Sequence, residues 1–135
     1  MSCNCDCNRL NGIKDLKEGL CNLQQGVKYL CNALDALRCY KICEADNCLL
    51  KGICQSEKGL CQCERGLRNL NDDLDRQEIR TIREGICKIR NGIQDICDVW
   101  EDLRRQCGCQ IEEDLVNGIA DIKEGIDRIN SVICR

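Results

Sequence analysis

The chain has no histidine, no proline and no phenylalanine, and its aromatic residues are one tryptophan and two tyrosines. Each absence removes a class of function. Without an imidazole, neither a Ser/His nor a Cys/His nucleophile pair can be assembled. The Glu-x-x-His motif of di-iron helical bundles is excluded for the same reason. Without proline, nothing interrupts a long helix by removing a donor. No apolar run approaches the roughly 18 residues that a membrane span needs, so no span is expected. There is no basic excess either. Twenty Lys and Arg against 23 Asp and Glu give a net charge of −3, which makes nucleic acid a poor partner. The start, Met1-Ser2-Cys3-Asn4-Cys5, lacks a basic segment and an apolar segment. It therefore predicts synthesis in the cytoplasm without a signal peptide, where thiols stay reduced.

Against these absences stand sixteen cysteines in 135 residues. Thiols at that density either cross-link or hold soft metal ions. The length fits one domain with its own core, so disulfides are not needed to rescue a small fold.

A seven-residue unit, glycine then aliphatic then a second aliphatic three residues on, runs through the chain. It gives Gly12-Ile13, Gly19-Leu20 and Gly26-Val27 in a first tract, and Gly52-Ile53, Gly59-Leu60 and Gly66-Leu67 in a second. Gly85-Ile86 and Gly92-Ile93 form a third, and Gly118-Ile119 and Gly125-Ile126 a fourth. Aliphatics spaced alternately by three and four form the a/d seam of left-handed helical bundles. With the aliphatic after glycine at a, ten of the eleven glycines fall at g. The exception, Gly108, lies in the expected Cys107-Gly108-Cys109 turn. The prediction is an all-α protein, an antiparallel up-down-up-down four-helix bundle with close glycine-heptad contacts. A cysteine-rich arm is expected over 1–7, and helices over about 8–43, 47–73, 76–106 and 110–134 within a bundle spanning 8–135. Breaks are read at Cys43–Asn47 and at Asn71-Asp72-Asp73. Asp75 with Glu78 resembles a capping box opening the third helix. Trp100 is expected to fill a core layer near the pole that carries the first and third turns.

Each helical glycine costs about 1 kcal/mol relative to alanine. Ten together cost about as much as the whole net stability of a typical domain. Close approach of backbones must offset this, either within the bundle or between molecules.

The same register places the thiols. Cys21, Cys54, Cys61, Cys87 and Cys134 fall at the outward b position, Cys31 and Cys97 at e, and Cys63 and Cys107 on the seam. Cys39, Cys43 and Cys48 surround the first turn, and Cys107 and Cys109 the third, all at one end of the rod. Cys3, Cys5, Cys7 and Cys134 gather at the other end. Cys31, Cys63 and Cys97 read as small buried hydrophobes, an account that fails for the outward positions. Cys54 and Cys61 share a face but lie about 10 Å apart along the axis, beyond the roughly 7 Å Cα limit for a disulfide. Bonding between molecules is therefore favoured. Cys3, Cys5, Cys7, Cys39, Cys43, Cys48, Cys107, Cys109 and Cys134 are the candidates for it, with Cys21, Cys61 and Cys87 for lateral contacts.

The acidic clusters, Asp72-Asp73 and Glu112-Glu113-Asp114, read as turn and helix-start residues, and the glycines lack the loop context of a phosphate-binding motif. No catalytic residue and no enzyme activity is expected. Cys3-x-Cys5-x-Cys7, Cys61-x-Cys63 and Cys107-x-Cys109 are similar to the CxC units of metallothioneins, which leaves Cu(I) or Zn(II) at Cys3, Cys5 and Cys7 as the alternative reading: a thiolate metal store or buffer. Bacterial copper-storage proteins are Cys-lined four-helix bundles, whereas this seam is Ile and Leu. Zinc-finger and iron–sulfur spacings are absent.

In composition the chain resembles the cysteine-rich coat and exosporium proteins of spore-forming Firmicutes: small, very rich in cysteine, leaderless and bare of catalytic groups. That resemblance implies synthesis in the mother-cell cytoplasm, self-assembly on the spore surface and cross-linking. The partner would be the protein itself and other Cys-rich coat proteins. The expected role is structural, an array or filament held by intermolecular disulfides without a cofactor. A cytoplasmic location goes with the metal alternative.

Overall fold

The computed structural model describes the backbone of residues 2–105 and 110–134, and side chains from residue 9 onward within those bounds. Four helices form an antiparallel up-down-up-down bundle: α1 (Ser2–Arg38), α2 (Ile42–Leu70), α3 (Arg76–Arg105) and α4 (Ile111–Ile133). The glycine heptads fix how they associate. α1 lies closely along α2, and α3 along α4, while α2 on α3 and α1 on α4 are looser.

The close pairs are held at mirrored glycines. A Cβ added to Gly59 would meet the Gly19 carbonyl oxygen at 2.6 Å, and one on Gly66 would meet the Gly12 carbonyl at 2.7 Å. Gly26 and Gly52 complete the series. In the second pair, a Cβ on Gly125 would lie 2.5 Å from the Gly85 carbonyl, and one on Gly92 would lie 2.7 Å from that of Gly118. Nothing larger than hydrogen fits at these points. All ten helical glycines meet atoms of this same chain in this way, so the stripe serves contacts inside the bundle. The mirrored register carried one heptad further sets Ala33 opposite Ala45, both fully buried.

Beside the glycines runs an aliphatic seam. Leu16, Leu23 and Leu30 of α1, Ile82, Ile89 and Ile96 of α3, and Leu115, Ile122 and Ile129 of α4 are essentially inaccessible. On α2 the equivalent positions are Leu49, Ser56, Cys63 and Leu70, all buried. The Ser56 hydroxyl has no hydrogen-bond partner.

The helix limits depart from the sequence reading in two places. The first break falls at residues 39–41, not 43–47, and Cys43 through Asn47 are helical. The cause is Tyr40, which takes a left-handed φ of 59°. Its N–H donates to the Leu37 carbonyl (3.1 Å) and that of Lys41 to the Ala36 carbonyl (2.8 Å). This is a Schellman closure with tyrosine where glycine is usual. The second departure is at the start. The stretch expected as a separate arm over 1–7 is helical from Ser2 and continuous with α1, as fits a segment containing neither proline nor an internal glycine. The break after Leu70 falls as expected. Asp75 and Glu78 form the reciprocal capping box, with the Glu78 N–H donating to Asp75 (2.8 Å) and the Asp75 N–H to Glu78 (3.2 Å).

At one pole the C-terminus of α1 meets the N-terminus of α4 through Arg38 and Glu112 (2.7 Å). There Trp100 is half-buried against the core edge instead of filling a layer. Its indole N–H donates to Asp46 (2.8 Å), and the Arg104 guanidinium lies 4.8 Å from its ring centroid. The polar ring edge needs a partner, which holds it at the rim.

Candidate functional site: the distribution of thiols

The eleven cysteines with described side chains are free thiols. Their exposure follows the heptad register. Cys21, Cys54, Cys61, Cys87 and Cys134 at b are exposed, Cys31 and Cys97 at e are intermediate, and Cys63 on the seam is fully buried. Cys39 and Cys43 at the first turn are exposed, and Cys48 is half-buried against the core. The backbone places Cys3, Cys5 and Cys7 in the first two turns of α1, but their side chains lie outside the described residues. Cys107 and Cys109 lie outside them altogether.

Five of these thiols sit in defined surroundings. Cys39 and Cys48 line a common hollow of about 230 Å³ at the first turn, with Asp35, Lys41 and Glu44. The Schellman turn brings them there by folding α2 back within three residues. Cys54 of α2 lies close enough to Cys97 of α3 to act on its ionisation. Burial pushes the Cys97 thiol up, and the charges of Glu57, Asp98 and Glu101 add to it. Cys63 is pushed up to about 12 by burial, with Glu64 contributing. The thiolate is the nucleophile in disulfide exchange, so Cys63 is chemically silent near neutrality.

Cys21 lies beside a polar bridge between α1 and α2. Asn22 donates to Gln62 and accepts from Gln55 Nε2 (2.8 Å). Cys134 at the end of α4 donates its S–H to Asn130 Oδ1 at 3.6 Å, a weak contact that leaves the sulfur exposed. Cys54 was not among the residues singled out from sequence, although it shares its register position with Cys21, Cys61 and Cys87. That shared position was the available signal. The cationic surface around Cys87 had no such signal, because its members come from both α3 and α4.

The interior is filled by Leu, Ile and Val, with Cys63 its one fully buried thiol among the described residues. No group of three or more Cys, Asp or Glu stands in position to share a metal ion among the described residues. No described helix is long and apolar enough to cross a membrane. Comparison of the chain with protein-family models, curated proteins and solved structures finds no match.

Proposed function

We propose that the protein is a structural building block without catalytic activity, a helical rod that self-assembles into a regular array or filament and is then locked by intermolecular disulfides. The observation that supports this most directly is the split between an aliphatic interior and an outer surface carrying seven exposed thiols: Cys21, Cys39, Cys43, Cys54, Cys61, Cys87 and Cys134. Exposed free thiols are a liability in a solitary molecule and an asset in a cross-linked one. The two poles differ in their cysteines, and contacts between unlike surfaces propagate where they do not close. Each bond joins two thiols and passes two electrons and two protons to an oxidant such as dioxygen. A spore-surface layer of coat or exosporium type, built with other Cys-rich proteins after synthesis in the cytoplasm, is the setting the composition suggests.

Electrophoresis without reductant tests the reading. Reduced protein exposed to air or diamide should give a ladder that collapses when reductant is restored. Serine at Cys39, Cys43 and Cys134 together should shorten the ladder while the helical circular dichroism survives. A monomer that persists under oxidation would sink the proposal. Several equivalents of copper or zinc in anaerobically purified protein, lost on serine substitution at Cys3, Cys5 and Cys7, would put a thiolate metal store in its place.

A further inference from the structure

The outer face of α3 changes sign along its length. Its first half carries Arg76, Arg80 and Arg83, exposed and without an acidic partner among the described residues. They line an open hollow of about 730 Å³ together with Lys88, Arg128 and Cys87. The one carboxylate there, Glu84, is held by Arg128 at 2.9 Å, and Lys88 is occupied by Glu124 at 3.4 Å. The second half carries Asp95, Asp98 and Glu101, also exposed, before Arg104 and Arg105 close the helix in its last turn. Asp114 and Asp121 of α4 stand close enough to Asp95 to help raise its carboxyl above the usual range, after burial. Between the halves lie the uncharged Asn91 and Gln94, and Arg90, which is occupied by Glu64 of α2 at 3.3 Å.

This pattern works against the helix that bears it. Arg76–Arg80, Arg80–Arg83, Asp95–Asp98 and Asp98–Glu101 are like-charge pairs at i,i+3 or i,i+4, each destabilising by a few tenths of a kcal/mol. Arg76 also stands in the first turn, where the helix dipole favours acids. The two halves cannot relieve each other within one molecule. Arg80 and Asp98 are about 27 Å apart along the axis, roughly three Debye lengths at physiological ionic strength.

We propose that this face is a self-complementary interface with a second copy of the chain. Two α3 helices lie antiparallel, the Arg76/Arg80/Arg83 segment of each against the Asp95/Asp98/Glu101 segment of the other. The midpoints of Arg76–Glu101, Arg80–Asp98 and Arg83–Asp95 all fall beside Ile89, so a two-fold axis there sets plus on minus at both ends together, whereas a parallel alignment would set like on like. The hollow beside Arg80 and Arg83 receives the partner's carboxylates. An isologous contact of this kind closes on itself, so its product is a dimer, and polar thiols join dimers afterwards. The inference rests on the self-assembly reading and adds the unit from which assembly starts. Exposed ion pairs contribute about 0.2–1 kcal/mol each, so the dimer is weak and sensitive to salt.

Sedimentation of the full chain, kept reduced, tests this. At low ionic strength the protein should be a dimer that dissociates in about 0.5 M salt, well past the range over which exposed charges act. R80E/R83E and D95K/D98K should each be monomeric with unchanged helical dichroism. A one-to-one mixture of the two should dimerise, and the fourfold reversal should restore a homodimer. A reduced wild type that is monomeric at low salt, or reversals that leave the dimer intact, would overturn the interface. If those same chains still ladder on oxidation, cross-linked assembly stands without it. If the reduced dimer behaves as expected and no ladder forms, the interface stands and cross-linking falls.

Discussion

The two halves of the bundle solve one problem with different means. In α3·α4, two glycine pairs are covered by branched side chains from both sides, Ile89 and Ile96 of α3 and Ile122 and Ile129 of α4. In α1·α2, three glycine pairs are continued by Ala33 and Ala45, and the cover is uneven. Leu16, Leu23 and Leu30 cap the glycines of α2, whereas those of α1 meet Leu70, then the smaller Cys63 and Ser56. The first pair thus has the longer run of backbone contact and the thinner seam. The sulfur is uneven too, with eleven cysteines before residue 71 and five after it. The difference teaches that close backbone approach and bulky cover are interchangeable to a degree. Where the stripe is long, one seam can hold smaller groups such as Ser56 and Cys63.

The comparison can be broken most forcefully at the stripes. Gly125→Ala in the second pair and Gly59→Ala in the first both force a methyl against a carbonyl oxygen at about 2.5–2.6 Å. Overpacking of this kind outweighs the roughly 1 kcal/mol gain in helix propensity. A net loss of about 2 kcal/mol is expected for each in denaturant unfolding. The loss should be greater for Gly125→Ala, because two rungs share the load there instead of four. Equal losses would mean that ladder length is irrelevant.

Alkaline pH separates the halves next. The folded Cys63 thiol is held up to about 12 against an ordinary value of 9.0. Above pH 9 the unfolded chain releases that proton and the folded chain keeps it. The stability this thiol contributes is complete below pH 9, declines by about 1.4 kcal/mol per pH unit as pH rises, and is gone once pH passes the folded value. Stability of the wild type minus that of Cys63→Ala, followed from pH 8 to 11, should show this fall. A difference independent of pH would show that Cys63 ionises freely in the fold. Cys97, only partly buried in the other pair, should show a smaller slope.

Removing the unpaired hydroxyl sharpens the contrast from the other side. Ser56→Ala should stabilise the protein by about 1 kcal/mol, since a buried oxygen without a partner costs its desolvation; a destabilised variant would point to a hydrogen bond made by that hydroxyl. The smallest effect concerns how the halves are turned. Tyr40 is 89% exposed, so Tyr40→Gly loses little contact while relieving a left-handed conformation that side chains disfavour by about 1–2 kcal/mol. Because glycine also frees the unfolded chain, the net gain should be under 1 kcal/mol, read as a rise in melting temperature. No rise would mean the ring contributes at this turn.

Much of this was legible in the sequence because one rule, glycine at g and aliphatic at a and d, governs every helix. It located the core and sorted Cys21, Cys61 and Cys87 from Cys63 before any coordinates. The Asp75–Glu78 cap was legible separately, from the capping-box pattern, because its chemistry is local. The first turn was not legible, because Tyr40 adopts a conformation that glycine or asparagine would have announced. Trp100 was placed at the correct pole but too deep, since its partner Asp46 comes from another helix. The charge reversal on α3 needed the neighbouring helix as well. Arg128 and Glu124 neutralise Glu84 and Lys88 and leave the three arginines uncompensated, which no single stretch of sequence reveals.

A seven-residue motif this uniform reads the same after a slide of one repeat. Were α2 shifted about 10 Å along α1, glycine would again face glycine at two of three rungs, so the stripe alone is a poor judge of alignment. The two hydrogen bonds closing around Tyr40 remove that ambiguity by leaving the chain no slack. Inserting a few flexible residues between Cys39 and Ile42 should therefore yield neighbouring isomers offset by a heptad, and three residues act as the index pin for a hairpin of nearly seventy.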